Sequence, residues 1–263
     1  MIILHNLSGQ LGNRLMRLNN ALQLSKEKQL NIRNIGKDKV LNEIDEYFDF
    51  NLTPYENKPG QDLNITDMGD LFFTNKYDPR NFLKIKDKYQ INLDNTKTNI
   101  GIHIRYEPIK WQHFNDETTL KNYYLSAIKY CVENIQNPHF IIFGANSPNQ
   151  FRVHTDKAET TAFLSKFKFY QEMLNYFKQN NISYDLSITI KNPNQIYLKD
   201  FIQMTNCDVL ISSHSTFCIT AGFIGKHKKI IHANHVLDFF KNDKFWKEIR
   251  VGGNQYYKLW KSF

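Results

Sequence analysis

The sequence predicts an α/β protein whose parallel sheets are covered by helices. From residue 99 onward, strand-like and helix-like segments alternate at regular intervals, which is the pattern of βαβ units. The chain also opens with a short apolar strand, a glycine-containing loop and an amphipathic helix, which is how such a unit begins. Finally, 263 residues with 41% hydrophobic and 14% aromatic content suffice for one large domain or two smaller ones.

The charge and the cysteine content restrict the partners of the protein. The 34 lysines and arginines exceed the 26 aspartates and glutamates, and the net charge of +8 favours anionic partners such as nucleotides. We expect no nucleic-acid partner, because the lysines are scattered over apparent helix faces and form no basic run. The three cysteines are odd in number and far apart, so they fit neither a disulfide framework nor a zinc ribbon.

The start of the chain and its hydropathy predict a location. Met1 leads directly into an apolar strand without a basic leader, and no apolar stretch is long enough to cross a bilayer. We therefore expect a cytoplasmic protein, and peripheral contact with an anionic membrane surface stays open.

Two domains are expected, at residues 1–95 and 96–263, because the region before the boundary is the least periodic part of the chain. The predicted elements of the first domain are strands at Met1–Asn6 and Asn31–Ile35 and helices from Asn13, at Val40–Phe48 and at Asn81–Tyr89.

The first βα turn is a candidate ligand loop. Gly9 and Gly12 supply a tight turn free of side chains, and Asn13 and Arg14 follow in the first helical turn, at the end of the sheet. An ordinary βα turn explains the two glycines equally well, so this loop alone does not establish nucleotide binding.

The second domain is predicted to repeat strand and helix throughout. Its predicted strands are Asn99–Arg105, His139–Phe143, Leu186–Ile190, Asp208–Ile211 and Lys229–His232. Its predicted helices are Thr119–Asn134, Phe163–Gln179, Ile196–Thr205, a segment opened by Phe217, and Leu237–Ile249.

The first strand of this domain ends in a cation. Ile100, Ile102 and Ile104 alternate along it, and Arg105 follows at the carboxyl end, where α/β proteins bind ligands. The next loop bears acidic, imidazole and aromatic groups, a combination found at sugar-handling sites and also in solvated loops; its titratable members are Glu107, His113, Asp116 and Glu117.

The stretch Leu198–Gly225 joins a short buried strand to a small, apolar helix through a turn rich in hydroxyls. That turn contains Ser212, Ser213, Ser215 and Thr216. A helix N-terminus presents free N–H groups and partial positive charge, so the turn suits a phosphate group. Helix capping alone is the competing explanation of these residues.

Several enzyme classes lack their motifs in this chain. No HExxH, DxD, GxSxG or Walker-type loop occurs, which disfavours zinc proteases, metal-dependent sugar transferases, serine hydrolases and P-loop kinases. His232 and His235 stand three apart without an acidic or cysteine partner nearby, so we expect no metal site and no cofactor.

Three motif regions resemble those of the α-1,2-fucosyltransferases and their wider relatives, the α-1,6- and protein O-fucosyltransferases. They are GQLGNR at Gly9–Arg14, HIR at His103–Arg105 and DFIQMTNCDVLISSHSTF at Asp200–Phe217. The three occur in the same order over nearly the whole chain. The resemblance implies a GT-B-like fold with two facing Rossmann-like domains with parallel sheets, the first on the acceptor side and the second holding a nucleotide sugar.

The resemblance also implies roles for individual residues. Arg105 would stabilise the departing diphosphate and His103 would orient the donor. The hydroxyl turn would bind phosphate, while Asn13 and Arg14 would close the donor site from the first domain. Further donor contacts are implied for Gly9, Gly12, Asn146, Asp200, Ser212, Ser213, Ser215, Thr216 and Phe217.

Two departures from the family pattern bear on the donor. Tyr106 replaces the common second arginine, and Glu107 with Pro108 replaces the usual Gly-Asp. Phe217 is followed by Cys218 and Ile219 where the family has an aromatic pair.

We therefore predict an inverting, metal-independent glycosyltransferase that transfers fucose from GDP-fucose to a glycan acceptor. Glu107 is the first candidate for its general base, ahead of Asp116, Glu117 and His113. A different nucleotide sugar, or a non-catalytic module that binds nucleotide or glycan, are the alternatives.

Overall fold

A computed structural model describes residues 2–4, 11–29, 31–34, 44–50, 63–65, 83–105, 117–144, 168–192, 197–213, 215–225, 229–233, 246–250 and 256–261. The chain divides into two compact units, Met1–Gln90 and Ile91–Phe263, called unit 1 and unit 2 below. Each contains a parallel sheet, which confirms the predicted α/β class.

Unit 1 is built on a three-stranded parallel sheet and an antiparallel pair. The sheet has the order β2-β1-β4, with β1 at Ile2–Leu4, β2 at Ile32–Asn34 and β4 at Leu63–Ile65. Helix α1, Leu11–Lys28, connects β1 to β2 and buries Leu11, Leu15 and Leu22, so its apolar residues recur at helical spacing as predicted.

Two helix predictions in unit 1 need correction. Only residues 44–47 of the predicted helix Val40–Phe48 are described as helical, and the chain then enters strand β3, Phe48–Phe50. The predicted helix Asn81–Tyr89 is wrong over its described part, which forms strand β5, Leu83–Ile85, and a 3₁₀ turn, Asp87–Tyr89. Pairing of Phe48 with Ile85 buries both side chains, and this long-range contact overrides the local helical pattern.

Unit 2 contains a seven-stranded sheet with the order β11-β12-β10-β9-β6-β7-β8, in which β11 is Trp246–Arg250 and β12 is Tyr256–Lys261. Its five parallel strands are β6 (Thr98–His103), β7 (Pro138–Phe143), β8 (Ser183–Leu186), β9 (Val209–Ile211) and β10 (Lys229–Ala233). The connecting helices are α2 (Glu117–Asn134), α3 (Lys168–Gln179), α4 (Ile188–Lys191), α5 (Tyr197–Thr205) and α6 (Thr216–Ile224).

Aromatic side chains fill much of the core of unit 2. Phe140 of β7 stacks on Phe177 of α3 with ring centroids 5.0 Å apart, and Tyr124 of α2 stacks on Phe169 at 5.6 Å. All four side chains are almost fully buried, and burial of each such ring contributes roughly 2–3 kcal/mol. These contacts fix α2 and α3 relative to the strand that lies next to β6.

Two predictions in unit 2 are wrong. The segment Leu186–Ile190 is not a strand throughout, because β8 ends at Leu186 and Ser187 caps helix α4, its side chain accepting from the Ile190 N–H. Within the predicted helix Leu237–Ile249, residues 246–249 instead belong to strand β11, Trp246–Arg250. It pairs antiparallel with β12, Tyr256–Lys261, which in turn pairs antiparallel with β10 and which sequence reasoning missed.

Candidate functional site

The order of the parallel strands of unit 2 identifies one crevice for a ligand. Read from β8, the order is β8-β7-β6-β9-β10, so the chain runs outward from β6 in one direction and from β9 in the other. Right-handed crossovers then place the connections after β6 and after β9 on opposite faces of the sheet. Open α/β sheets bind ligands at this reversal, outside the carboxyl ends of the strands.

Two of the predicted motifs meet at this crevice. His103 ends β6, and its Nδ1 lies 2.8 Å from Oγ of Ser213, which follows β9. Both residues are buried, with 8% and 3% of their surfaces exposed. The contact joins residues 110 positions apart in the sequence, and pairing of Ile102 with Ile211 in the adjacent strands aligns them.

The hydroxyl turn also forms the start of helix α6. Ser213 Oγ accepts a hydrogen bond from the Ser215 N–H at 3.0 Å, and Ser215 Oγ accepts one from the Phe217 N–H at 3.3 Å. Ser215 is therefore the N-cap, so the capping explanation of this residue is correct. The positive end of the α6 dipole is directed at the crevice beside His103, where an anion would be stabilised.

The thiol of Cys218 contacts the backbone and a hydroxyl group of the same turn. Its Sγ lies 3.3 Å from the carbonyl oxygen of Ser213, 3.2 Å from that of Ser215 and 3.4 Å from Ser213 Oγ. Burial raises the pKa of Cys218 to about 11, while the hydrogen bonds with Ser213 and the charge of Arg105 oppose that shift. The thiol of Cys218 is therefore neutral at pH 7.

Two buried tyrosines of α2 donate hydrogen bonds to backbone groups at the carboxyl ends of β6 and β9. The hydroxyl of Tyr124 donates to the carbonyl oxygen of His103 at 2.8 Å. The hydroxyl of Tyr123 donates to the carbonyl oxygens of Ser212, at 2.5 Å, and Ile231, at 3.0 Å. These bonds satisfy backbone groups where the strands end, and they keep His103 and Ser212 in register.

Asp200 was predicted to contact the nucleotide sugar directly. In the structure, neighbouring residues of the chain donate hydrogen bonds to its carboxylate. Its carboxylate accepts hydrogen bonds from Ser187 Oγ at 3.0 Å, from the Thr189 N–H at 3.1 Å and from Thr189 Oγ1. Burial nevertheless raises the pKa of Asp200 to about 6, with these hydrogen bonds opposing the shift. In this arrangement Asp200 ties helix α5 to the carboxyl end of β8.

An aromatic group that the sequence only partly indicated lies beside the turn. The Phe217 ring lies 5.8 Å from His103, 5.2 Å from Phe201 and 6.3 Å from Tyr197, between ring centroids. Tyr197 was not among the predicted site residues. Its position at the start of α5, three residues before Asp200, was the available signal.

The remaining predicted residues fall into two groups. Arg105 lies two residues after β6 and is partly exposed, Thr216 opens α6, and Ser212 directly follows β9 and is buried. In unit 1, Gly12, Asn13 and Arg14 lie in the first turn of α1, and only 4% of Arg14 is exposed. Their contacts with a donor stay predictions.

Several predicted residues lie outside the described part of the chain. They are Gly9, Tyr106, Glu107, His113, Asp116, Asn146 and His235. Glu117, a rival general base, begins α2.

The described residues show neither a metal-ion cluster nor a membrane-spanning helix. No group of three or more His, Cys, Asp or Glu side chains there is arranged to hold a metal ion. None of the helices among these residues has the length and hydropathy of a membrane span.

Comparison with known proteins gives one structural likeness. No protein-family model and no curated protein matches the sequence. The fold is similar to the crystal structure of NodZ α-1,6-fucosyltransferase soaked with GDP-fucose, with a TM-score of 0.49 and 11% sequence identity, over 89% of this chain and 94% of that one. A likeness of this extent does not by itself assign a function to the chain.

Proposed function

We propose that the chain is an inverting, metal-independent glycosyltransferase of GT-B architecture, which transfers fucose from GDP-fucose to a hydroxyl of a glycan acceptor. Unit 2 takes the donor in this proposal. The supporting observation is the 2.8 Å contact between His103 Nδ1 and Ser213 Oγ at the strand reversal, because it unites two of the three motif regions. Their union beside a helix N-terminus suits the diphosphate of a nucleotide sugar.

The chemistry follows from the charges at this crevice. The acceptor oxygen attacks the anomeric carbon, the bond from that carbon to the diphosphate breaks, and its electron pair stays on the departing phosphate oxygen. Arg105 and the N-terminus of α6 stabilise this negative charge, which is the largest electrostatic demand on a transferase that uses no metal. The guanidinium fork of Arg105 can bind two phosphate oxygens at once.

The acceptor hydroxyl must also lose a proton. Glu107 is the first candidate to receive it, with His113, Asp116 and Glu117 as rivals, since all four follow β6 in sequence. General base catalysis of this kind contributes roughly 10²- to 10⁴-fold. Replacing each of the four in turn by its amide, or by alanine for His113, and measuring transfer against pH would identify the base.

Titration calorimetry with GDP, UDP and ADP, followed by assays of donor hydrolysis and transfer, tests the proposal. We expect GDP to bind most tightly and GDP-fucose to be consumed in the presence of a glycan acceptor. Binding of UDP without GDP would contradict the fucose assignment, and Tyr106 in place of an arginine is the observation that favours this second candidate. Tight binding without turnover on any acceptor would indicate a binding module.

A further inference from the structure

Two half-buried aromatic side chains lie next to the hydroxyl turn. Phe217 follows directly after Thr216, the first residue of α6, and its ring packs edge-on against the fully buried ring of Phe201. The ring centroid of Tyr197 lies 6.3 Å from that of Phe217, and the two ring planes are inclined by 59°. Both Tyr197 and Phe217 keep part of their surface exposed, whereas Phe201 belongs to the core.

The hydrogen bonds of Asp200 fix Tyr197 at the ligand-binding edge of the sheet. Asp200 lies one helical turn after Tyr197, and its carboxylate binds Ser187, which directly follows β8. The Ser187 N–H in turn donates to the Ile142 carbonyl oxygen near the end of β7, at 2.9 Å. The amino end of α5 is thereby tied to the carboxyl ends of two strands, and Tyr197 lies at the same edge as His103.

We propose that Tyr197 and Phe217 form the contact surface for the base of a nucleoside diphosphate whose phosphates occupy the hydroxyl turn. This inference rests on the proposed function. Both rings lie near the start of α6, so a ligand with its diphosphate at the helix N-terminus has its nucleoside within reach of them. Aromatic side chains bind bases by stacking and select for a planar ring over a bare phosphate. Tyr197 would then discriminate nucleotides from inorganic phosphates.

The test compares GDP with inorganic pyrophosphate, which shares the diphosphate and lacks the base. In titration calorimetry of the full chain, Tyr197→Leu should weaken GDP binding roughly 5- to 150-fold, since stacking on one aromatic side chain has about that effect. Pyrophosphate binding should stay within about twofold. Leucine keeps apolar bulk at the start of α5 but has no aromatic face, and Tyr197→Phe should retain wild-type affinity for GDP.

Tyr176→Leu is the matched control, because Tyr176 is also a half-buried tyrosine but lies on α3. This variant should bind both GDP and pyrophosphate with wild-type affinity. Equal losses of GDP and pyrophosphate binding in Tyr197→Leu, or no loss of either, would overturn the inference while leaving the proposed function intact. If the wild-type chain binds neither pyrophosphate nor any nucleoside diphosphate, the proposed function itself is refuted. Circular dichroism of each variant establishes that the chain keeps its overall secondary structure.

Discussion

Replacement of Ser213 by alanine tests how the two strand ends are joined. The hydroxyl of Ser213 lies 2.8 Å from His103 Nδ1 and accepts the Ser215 N–H at 3.0 Å, in a region closed to water. Its removal leaves two buried polar groups without this partner, each costing about 1–3 kcal/mol. We therefore expect Ser213→Ala to lower the free energy of unfolding by about 2–6 kcal/mol, with the weak contact to Cys218 adding little.

The chain offers a matched control for this variant. Ser183 Oγ lies 2.7 Å from Nδ1 of His139, so the same two atoms meet there, but at an exposed position where water can replace the hydroxyl. Ser183→Ala should therefore change the free energy of unfolding by no more than about 0.5 kcal/mol.

Urea titration followed by tryptophan fluorescence measures both variants. All three tryptophans, Trp111, Trp246 and Trp260, belong to unit 2, so the signal reports unfolding of the unit that contains both serines. If Ser213→Ala costs no more than Ser183→Ala, the reasoning that a buried hydrogen-bonded junction holds the site together is wrong.

Three further predictions address an arginine, an aspartate and a glycine of unit 2. Arg105→Ala should reduce the rate of sugar transfer at least roughly 10²-fold with little change in the free energy of unfolding. Lys129→Ala, which removes a cation from α2, should transfer at the wild-type rate, and equal turnover of wild type and Arg105→Ala would exclude the assigned role. The folded pKa of Asp200, about 6, exceeds its ordinary 3.8, so the unfolded chain loses this proton first as the pH rises. This group should therefore make the free energy of unfolding fall by about 2 kcal/mol between pH 4 and 6, and in urea titrations at several pH values Asp200→Asn should lack this decrease. A methyl group in Gly101→Ala would lie 3.1 Å from Cys207 Sγ, 3.2 Å from Leu210 Cδ1 and 3.2 Å from Phe143 Cε2. This overpacking should lower the free energy of unfolding by about 1–3 kcal/mol in the same assay, and an unchanged midpoint would show that the core adjusts to the added methyl group.

Local sequence pattern was sufficient for the central strands β6 and β9 and for the junction between them. The alternating isoleucines of β6 and the apolar run of β9 are typical of central strands, and parallel pairing aligns their carboxyl ends. Polar residues at or just after the carboxyl ends of both strands must then reach the same edge of the sheet. The contact between His103 and Ser213 follows from that geometry, although its distance does not.

The wrong predictions occur where a distant partner decides the local structure. Ile188, Thr189 and Ile190 have strand-like side chains, yet they form α4 because Ser187 caps it and Asp200, 13 positions after Ser187, binds both Ser187 and Thr189. Similarly, Trp246–Arg250 forms a strand because β12 pairs with it and with β10. A window of a few residues contains neither partner.

The pairing of β6 with β9 also determines when the candidate site exists during folding. Ile100 faces Val209 in the sheet, so the two strands close a loop of more than a hundred residues that contains β7, β8 and most of the helices of unit 2. A contact of such range forms slowly, and His103 reaches Ser213 only once that central pairing is complete. A ligand held by both residues would therefore bind only the chain with its central sheet assembled, and its binding energy would stabilise unit 2 as a whole.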